Sequence, residues 1–315
     1  MKIVILNESF LQEEHLQKLR QLGEVEVYTD TGDEQTAIER LKTADVAVAD
    51  CWLTPLNSTV LSQVPQLRYL VVNSTGYDQV DLAAARAHNI SIANVPGFST
   101  EGVAEHAIAL LFAITRHITV ADKAMHRKPF QIDPADTANN VFTGIDLRGK
   151  TIGVIGLGNI GTRIAELAQG LGMHVIGYNR TPRSIPGVKN VTFGELIAQS
   201  DVVSLSTALH EEIKDLINAA VLQKMKPTAY LINTARGGLV NESDLAAALQ
   251  QGTIAGAGLD VITDWSLDNP LLQCENVVLT PHLAFFTAES LQNMANIIVA
   301  NIEGFAEGQQ PNVVN

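Results

Sequence analysis

Short runs of apolar, β-branched residues alternate with longer amphipathic stretches along the first hundred residues. The stretch LQEEHLQKLRQL, between the first two runs, places apolar residues at helical spacing. Strands that alternate with helices are typical of parallel βαβ units, so the pattern predicts an α/β domain that is complete by about residue 99. The predicted strands are KIVIL (2–6), VEVYT (25–29), VAVAD (46–50), LRYLVV (67–72) and ISIANV (90–95).

A long apolar helical pattern separates this series from a second one. The stretch 100–126 predicts one continuous helix, and the polar segment PFQIDPADTANN (129–140) predicts a loop. A further helical pattern at 289–308 follows the second series. The whole order predicts two doubly wound parallel-sheet domains. The strands predicted for the second series are TIGVIG (151–156), HVIGY (174–178), DVVSLS (201–206), AYLINTA (229–235), IAGAGLDV (254–261) and NVVLTP (276–281).

Composition and charge narrow the class of ligand. Of the 315 residues 46% are hydrophobic, and 21 basic against 34 acidic residues give a net charge of −13. Such a charge argues against non-specific binding of nucleic acid or anionic membrane. Cys51 and Cys274 lack metal-like spacing and fit free thiols in a reducing compartment. Without an apolar run of about 18 residues or a signal-peptide pattern, we expect a cytoplasmic protein with no metal site.

The sequence GLGNIG (156–161) is the first candidate binding motif. It follows a predicted strand, opens a predicted helix and is followed by another strand, which is the context that a dinucleotide fingerprint requires. Its glycines would permit a tight turn and close approach of the backbone to a pyrophosphate, next to the amides of a helix N-terminus. The candidate cofactor contacts are Gly156, Gly158, Asn159, Ile160 and Gly161.

The end of the next strand, GYNRTPRS (177–184), indicates which dinucleotide is bound. NAD enzymes usually have an acidic residue about 20 residues after the glycines to hold the ribose 2′-hydroxyl, but Asn179 occupies that place. Arg180, Thr181 and Arg183 follow, and arginine with a hydroxyl would bind a 2′-phosphate through charge-assisted hydrogen bonds. We predict that NADP(H) is preferred and NAD(H) is possible; the alternative is that Arg180 is a solvated loop charge.

Three chemically suited side chains follow later strands. Arg236 comes after AYLINTA, Asp260 ends the next strand, and His282 follows the last one. In open parallel sheets, ligands bind beyond the carboxyl ends of the strands, so these residues should share a crevice with the glycine motif. Hydride transfer at a nicotinamide site needs a cationic group that binds the substrate (a charge clamp) and a group that donates or accepts a proton (a proton carrier).

Six segments can be compared with known families: NSTGYDQVD (73–81), NVPGFSTEGVAEHA (94–107), GLGNIG, NTARGGLV (233–240), GLDV (258–261) and LTPH (279–282). Together they resemble the D-isomer-specific 2-hydroxyacid dehydrogenases over nearly the whole chain. The resemblance implies hydride transfer between a nicotinamide cofactor and a 2-oxo or D-2-hydroxy acid, in a homodimer with the active site in a cleft between two Rossmann- or flavodoxin-like domains. Residues 1–99 with 287–315 would form the substrate domain, and 100–286 the dinucleotide-binding domain.

The resemblance also implies roles for single residues. Arg236 would grip the substrate carboxylate and the 2-oxo oxygen, for which its fork of donors is suited. His282 would be the general acid/base that gives a proton to the carbonyl oxygen. The other implied contacts are the backbone N–H groups around Thr75 and Gly76 for the carboxylate, Asp260 beside the nicotinamide ribose and carboxamide, and Thr207 and Thr234 along the cofactor.

One position departs from the family pattern. The glutamate that usually pairs with the catalytic histidine would stand five residues after Asp260, where this chain has Trp265. One interpretation is that Asp264 takes the role, orients the imidazole of His282 and raises its pKa. The other is that Asp264 is a surface residue and that His282 titrates near its ordinary value of about 6.5.

Apolar residues are expected where the site meets the side chain of the substrate. They favour small or hydrophobic 2-oxo acids over phosphorylated ones. The segment PHLAFFT is more similar to D-lactate and D-2-hydroxyisocaproate dehydrogenases than to glyoxylate reductases. A dinucleotide-sensing co-repressor and a formate or phosphite dehydrogenase remain alternatives on the same fold. For Phe285 and Phe286, the alternative to contact with the substrate is packing between the domains. The candidate residues are Cys51, Trp52, Leu53, Tyr77, Phe285 and Phe286.

Overall fold

The computed structural model describes residues 1–7, 10–127 and 142–315. The predicted loop at 129–140 lies outside these residues. The chain divides into two compact units, one formed by residues 1–99 and 286–315 and the other by residues 100–285. Each unit contains one parallel sheet, so the predicted α/β fold class with two parallel-sheet domains is confirmed.

The first unit is built around a five-stranded parallel sheet. Its strands are β1 (Lys2–Leu6), β2 (Glu24–Tyr28), β3 (Val46–Ala49), β4 (Tyr69–Val72) and β5 (Ser91–Ala93). They lie in the order β2-β1-β3-β4-β5, and all five were predicted with ends within two residues. Residues of β3 and β4 are buried throughout, as expected for strands covered on both faces. The helices of this unit are α1 (Glu13–Leu22), α2 (Glu34–Leu41), α3 (Ser58–Leu61), α4 (Leu82–Ala87) and α11 (Ala288–Ala306).

The C-terminal segment completes the first unit by extending its sheet, a feature that the sequence pattern did not predict. Val313 forms an antiparallel bridge with Ala93 beyond the edge strand β5. The Val314 N–H donates to the carbonyl oxygen of Ile92 at 2.8 Å, and the hydroxyl of Tyr69 donates to the Pro311 carbonyl at 2.6 Å. These bonds attach the end of the chain to the sheet formed by its beginning.

The second unit contains a seven-stranded parallel sheet. Its strands are β6 (Thr151–Ile155), β7 (His174–Tyr178), β8 (Val188–Asn190), β9 (Val202–Leu205), β10 (Tyr230–Asn233), β11 (Gly256–Leu259) and β12 (Val277–Leu279), in the order β12-β11-β10-β9-β6-β7-β8. The six predicted strands are present. Val188–Asn190 also pair with β7 as the edge strand β8, which was not among the predicted strands. With three residues and one half-buried valine, this strand leaves no alternating pattern to detect.

Helices cover both faces of this sheet. They are α5 (Thr100–Thr115), α6 (Ile118–Arg127), α7 (Asn159–Gly170), α8 (Phe193–Gln199), α9 (Ala219–Leu222) and α10 (Glu242–Gln250). Apolar side chains of α5 and α7 form one core cluster with the sheet, and those of α8, α9 and α10 form another with the sheet. The sheet order reverses between β6 and β9, so the crevice beyond these two strands is the expected ligand site of such a fold.

The single helix predicted at 100–126 is two helices. Arg116 and His117 leave the helix, and His117 has a φ of 53°, the left-handed conformation that commonly ends helices. The two helices are bent by 61° at this break. Among the described residues, no single helix is long and apolar enough to span a membrane. This bent pair reaches the necessary length and apolar composition only when its two helices are taken together.

Candidate functional site

The glycine motif forms the turn between β6 and α7. Gly156 has a φ of 94°, which favours glycine, and a Cβ there would approach the Ser206 carbonyl oxygen to 2.5 Å. A Cβ on Gly161 would overlap the carbonyl oxygen of Gly156. A Cβ on Gly158, by contrast, would meet nothing within 4 Å, and no side chain caps the helix that begins after it. The turn is therefore compact, while its Gly158 edge is open to a phosphate.

The strand end after β7 is tied to this turn. The Asn179 Oδ1 accepts a hydrogen bond from the Leu157 N–H, and Arg183 Nη1 donates to the Leu157 carbonyl oxygen at 3.2 Å. Arg180 and Thr181 are exposed and make no hydrogen bond or ion pair with any residue that the structure describes. Asn179 and Arg183 thus hold the glycine turn in place, and Arg180 and Thr181 remain available to a ligand.

Two hydroxyl groups beyond β9 and β10 support the assignment of this crevice to a ligand. The Ser206 Oγ and the Thr234 Oγ1 are buried and lack a hydrogen-bond partner within the described part of the chain. Buried hydroxyls are normally paired, so these two are suited to a bound polar molecule. The Thr207 backbone lies beside the turn, since a Cβ on Gly156 would be 2.9 Å from its nitrogen. Together with the open glycine turn, these groups fit a dinucleotide.

Arg236 is placed by the loop that follows β10. The side chain of Asn233, which is fully buried, accepts from the Ala235 N–H at 3.0 Å and donates to the Arg236 carbonyl oxygen at 2.9 Å. Arg236 Nη1 donates to the Ala235 carbonyl oxygen at 2.9 Å, and the residue is half-buried. Asn233 was not among the predicted site residues, although it belongs to the NTARGGLV segment.

Hydrogen bonds to Asp260, from the backbone of His282 and of the two residues after it, fix the position of His282. The His282 N–H donates to the Asp260 carbonyl oxygen at 2.9 Å. The Asp260 carboxylate, fully buried, accepts from Leu283 N–H on Oδ1 and from Ala284 N–H on Oδ2, each at 3.0 Å. These bonds stabilise the left-handed conformation of His282, whose φ is 54°. The structure thus gives Asp260 a bracing role; its predicted contact with the nicotinamide half stays a prediction.

The pKa of His282 is lowered, because burial outweighs the effect of a neighbouring carboxylate. Burial disfavours the imidazolium and lowers the pKa below its ordinary value of 6.5. The Asp260 carboxylate opposes this effect, and the Arg236 guanidinium reinforces it. His282 and Arg236 are therefore close enough to interact electrostatically, as a proton carrier and a charge clamp of one site would.

Asp264 lies on an exposed loop at the edge of this region. Its Oδ1 accepts from the Ser266 N–H at 2.9 Å, and hydrogen bonds from Ser266 lower the pKa of Asp264. Its pairing with His282 stays a prediction. The loop itself is held by Glu242, which was not among the predicted site residues: its carboxylate accepts from the Thr263 hydroxyl at 2.6 Å and from Asn269 Nδ2 at 2.7 Å.

The predicted substrate residues of the first unit follow β3 and β4. The N–H groups of Thr75 and Gly76 donate to no described residue, whereas the Thr75 hydroxyl donates to the Val95 carbonyl oxygen at 3.0 Å. The Trp52 side chain is 54% exposed, and Tyr77 packs against the core of this unit. Binding of the substrate carboxylate by the two amides stays a prediction that their availability supports.

The two phenylalanines after His282 have different environments. The ring of Phe285 meets the His282 imidazole edge to face, with centroids 5.8 Å apart. Phe286 belongs to the first unit and contacts Phe10 at 5.6 Å. Of the predicted aromatic pair, the structure thus brings Phe285 to the imidazole. Within the described residues, no cluster of three or more histidine, cysteine or acidic side chains could hold a metal ion.

Comparisons with known proteins agree on one family. The model of the "D-isomer specific 2-hydroxyacid dehydrogenase, NAD binding domain" matches residues 108–284. A hydroxypyruvate reductase from Blautia hydrogenotrophica is 36% identical, with each chain covered completely. A glyoxylate reductase from Korarchaeum cryptofilum is 35% identical over 97% of this chain and 93% of its own. The solved structure of an acyclic imino acid reductase in complex with NADPH and D-Arg superimposes with a TM-score of 0.92 at 35% identity, with both chains fully covered.

Proposed function

The chain belongs to the D-isomer-specific 2-hydroxyacid dehydrogenase family, and on that premise we propose that it reduces small or hydrophobic 2-oxo acids with NADPH. Membership makes the protein an NAD(P)-dependent oxidoreductase of 2-hydroxy acids. The proposed reduction of a 2-oxo acid rests on the proximity of Arg236 to His282. The two groups are close enough that the guanidinium lowers the pKa of the imidazole. A protein that only binds a dinucleotide needs neither group there.

The two side chains divide the work on a 2-oxo acid. Arg236 offers a planar fork of donors, which binds the substrate carboxylate and polarises the adjacent carbonyl oxygen. His282, as the imidazolium, gives a proton to that oxygen, and in the reverse direction its neutral form takes the proton back. NADPH, when bound, supplies the hydride to C2. The bonds from Asp260 keep His282 in one backbone conformation, so the proton donor is already oriented.

The substrate is proposed from chemistry and from the names of relatives together. Relatives named hydroxypyruvate and glyoxylate reductases favour small 2-oxo acids, and the aromatic Phe285 beside His282 favours an apolar side chain. A panel of pyruvate, glyoxylate, hydroxypyruvate, 2-oxoisocaproate, phenylpyruvate and formate, each with NADPH or NADH or their oxidised forms, tests the proposal. Stoichiometric NADPH binding without turnover of any 2-oxo acid would contradict it.

The preference for NADP(H) rests on the strand end after β7. No carboxylate follows this strand at the place of the usual ribose contact, so nothing there repels a 2′-phosphate. Arg180 is exposed and unengaged among the described residues, whereas Arg183 already bonds the Leu157 carbonyl oxygen. We therefore assign the 2′-phosphate contact to Arg180, with Thr181 beside it, and the support of the glycine turn to Arg183.

Arg180→Ala should weaken NADPH binding roughly 10- to 100-fold, since a charge-assisted hydrogen bond contributes about 1.5–3 kcal/mol. Binding of NADH should change less than twofold, because NADH has no 2′-phosphate. Arg183→Ala is the matched control: it should weaken both cofactors alike, since its bond is to the turn itself. Fluorescence titration with each cofactor measures these dissociation constants.

Asn179→Asp provides the converse test. Aspartate keeps an oxygen for the Leu157 N–H and adds a carboxylate that would repel a 2′-phosphate and accept from a 2′-hydroxyl. The ratio of the NADPH to the NADH dissociation constants should therefore rise at least about tenfold. Equal affinities of the parent protein for both cofactors, or no effect of Arg180→Ala, would refute the assignment.

A further inference from the structure

A second histidine reaches the hydrogen-bond system that holds His282. His106 lies on α5, a helix that carries none of the predicted site residues. Its Nε2 is 3.0 Å from the Thr280 Oγ1 and 3.5 Å from the Asp260 Oδ1. The imidazole is 18% exposed. His106, Thr280 and Asp260 therefore form one chain of polar groups within the second unit.

The direction of the hydrogen bonds in this chain follows from the chemistry of its members. The Asp260 carboxylate, which also accepts two backbone N–H groups, can only accept from Thr280, at 2.6 Å. The single proton of the Thr280 hydroxyl is thereby committed to Asp260. Its oxygen must then accept from His106, so the neutral His106 must carry its proton on Nε2.

The hydrogen-bond chain continues to the backbone that directly follows His282. Asp260 Oδ1, which accepts from Thr280, also accepts from the Leu283 N–H. The other oxygen accepts from the Ala284 N–H. Rotation of this carboxylate would release the backbone that holds His282 at its positive φ of 54°. A group that fixes the carboxylate therefore also fixes the backbone that carries the His282 imidazole.

We propose that His106 is a positioning residue for the reduction: by donating from Nε2 to Thr280, it orients the Asp260 carboxylate and thereby the catalytic imidazole of His282. The inference rests on the proposed function for its kinetic consequence, but not for the bond itself. His106 touches neither substrate nor cofactor in this role. Its loss should therefore change the rate of turnover and leave cofactor affinity unchanged.

Kinetics of hydroxypyruvate reduction with NADPH test the role. His106→Ala should lower kcat about 10- to 100-fold, with the KM for NADPH within about twofold of the parent value. His106→Gln, whose amide N–H replaces the Nε2 donor, should restore kcat to within about threefold. Thr280→Val should lower kcat as much as His106→Ala does. The kcat of the double variant should be no lower than that of either single variant, because both changes break the same chain of hydrogen bonds. His174→Gln, a change at an exposed histidine at the start of β7, is the matched control and should have parent kinetics.

Nitrogen-15 NMR of histidine-labelled protein tests the bond without turnover. The His106 signals should show the Nε2–H tautomer in the parent and lose it in Thr280→Val. The proton on Nδ1 in the parent, additive effects of His106→Ala and Thr280→Val, or equal kcat losses in the Gln and Ala variants would each overturn the inference. Absence of hydroxypyruvate turnover with the expected tautomer would instead count against the proposed function alone.

Discussion

His282→Asn should lower kcat for 2-oxo acid reduction by about 10²- to 10⁴-fold, the range that a general acid contributes. Asparagine is the suitable replacement because it tolerates the left-handed conformation that this position requires, with its φ of 54°. The backbone bonds to Asp260 should therefore survive the change. NADPH affinity should stay within about twofold of the parent value, since the imidazole acts on the substrate.

The pH dependence of kcat/KM identifies the group that is lost. Reduction needs the imidazolium, so kcat/KM should be highest below the pKa of His282 and fall about tenfold per pH unit above it. Burial places that pKa below 6.5, so the fall should begin on the acidic side of that value. Oxidation of the 2-hydroxy acid needs the neutral imidazole, and its kcat/KM should rise through the same pKa.

Two results would contradict this account. A His282→Asn enzyme within tenfold of the parent kcat would exclude the residue as the proton donor. A fall that begins above pH 6.5 would mean that a carboxylate outweighs burial at His282, and Asp264→Asn would then reveal whether that carboxylate is Asp264. If the Asp264 carboxylate serves Ser266, from which it accepts hydrogen bonds in this structure, its replacement should leave both pH profiles unchanged.

The fold was predictable because its signals are local and repeated. Each buried strand is an apolar run, and two of the three glycines of the turn stand where no other residue fits: a Cβ at Gly156 or Gly161 would meet backbone oxygens. The edge strand β8 and the break after α5 were not predictable. The first contains one half-buried apolar residue, and the second depends on the left-handed conformation of His117 within a continuous helical pattern.

The electrostatics of the site were harder to predict than its members. Arg236, Asp260 and His282 could be chosen as strand-end residues, but two partners of the Asp260 carboxylate are backbone amides, which every residue except proline carries. The sequence therefore could not indicate that Asp260 braces His282. It also left open whether a carboxylate raises the pKa of His282 or leaves it near its ordinary value, whereas burial, a property of the folded chain, lowers it.

Arg236 should be the residue whose replacement most reduces kcat/KM for the 2-oxo acid. Two charge-assisted hydrogen bonds to the substrate contribute about 1.5–3 kcal/mol each, so Arg236→Met should lower kcat/KM by about 10³-fold or more. Arg236→Lys keeps the charge but loses the planar fork, and a loss of about 10²-fold is expected. NADPH affinity should be unchanged in both variants if the guanidinium serves the substrate.

The same pair of variants separates charge from geometry through His282. The Arg236 guanidinium lowers the pKa of His282, so Arg236→Met should raise that pKa and Arg236→Lys should leave it near the parent value. NMR titration of His282 measures this shift without any substrate. A lysine variant with parent kcat/KM would show that charge alone suffices, and a methionine variant with an unshifted pKa would show that the two groups act independently. The expected combination, a slow lysine variant with a parent-like pKa, would establish the fork of donors as what the substrate requires.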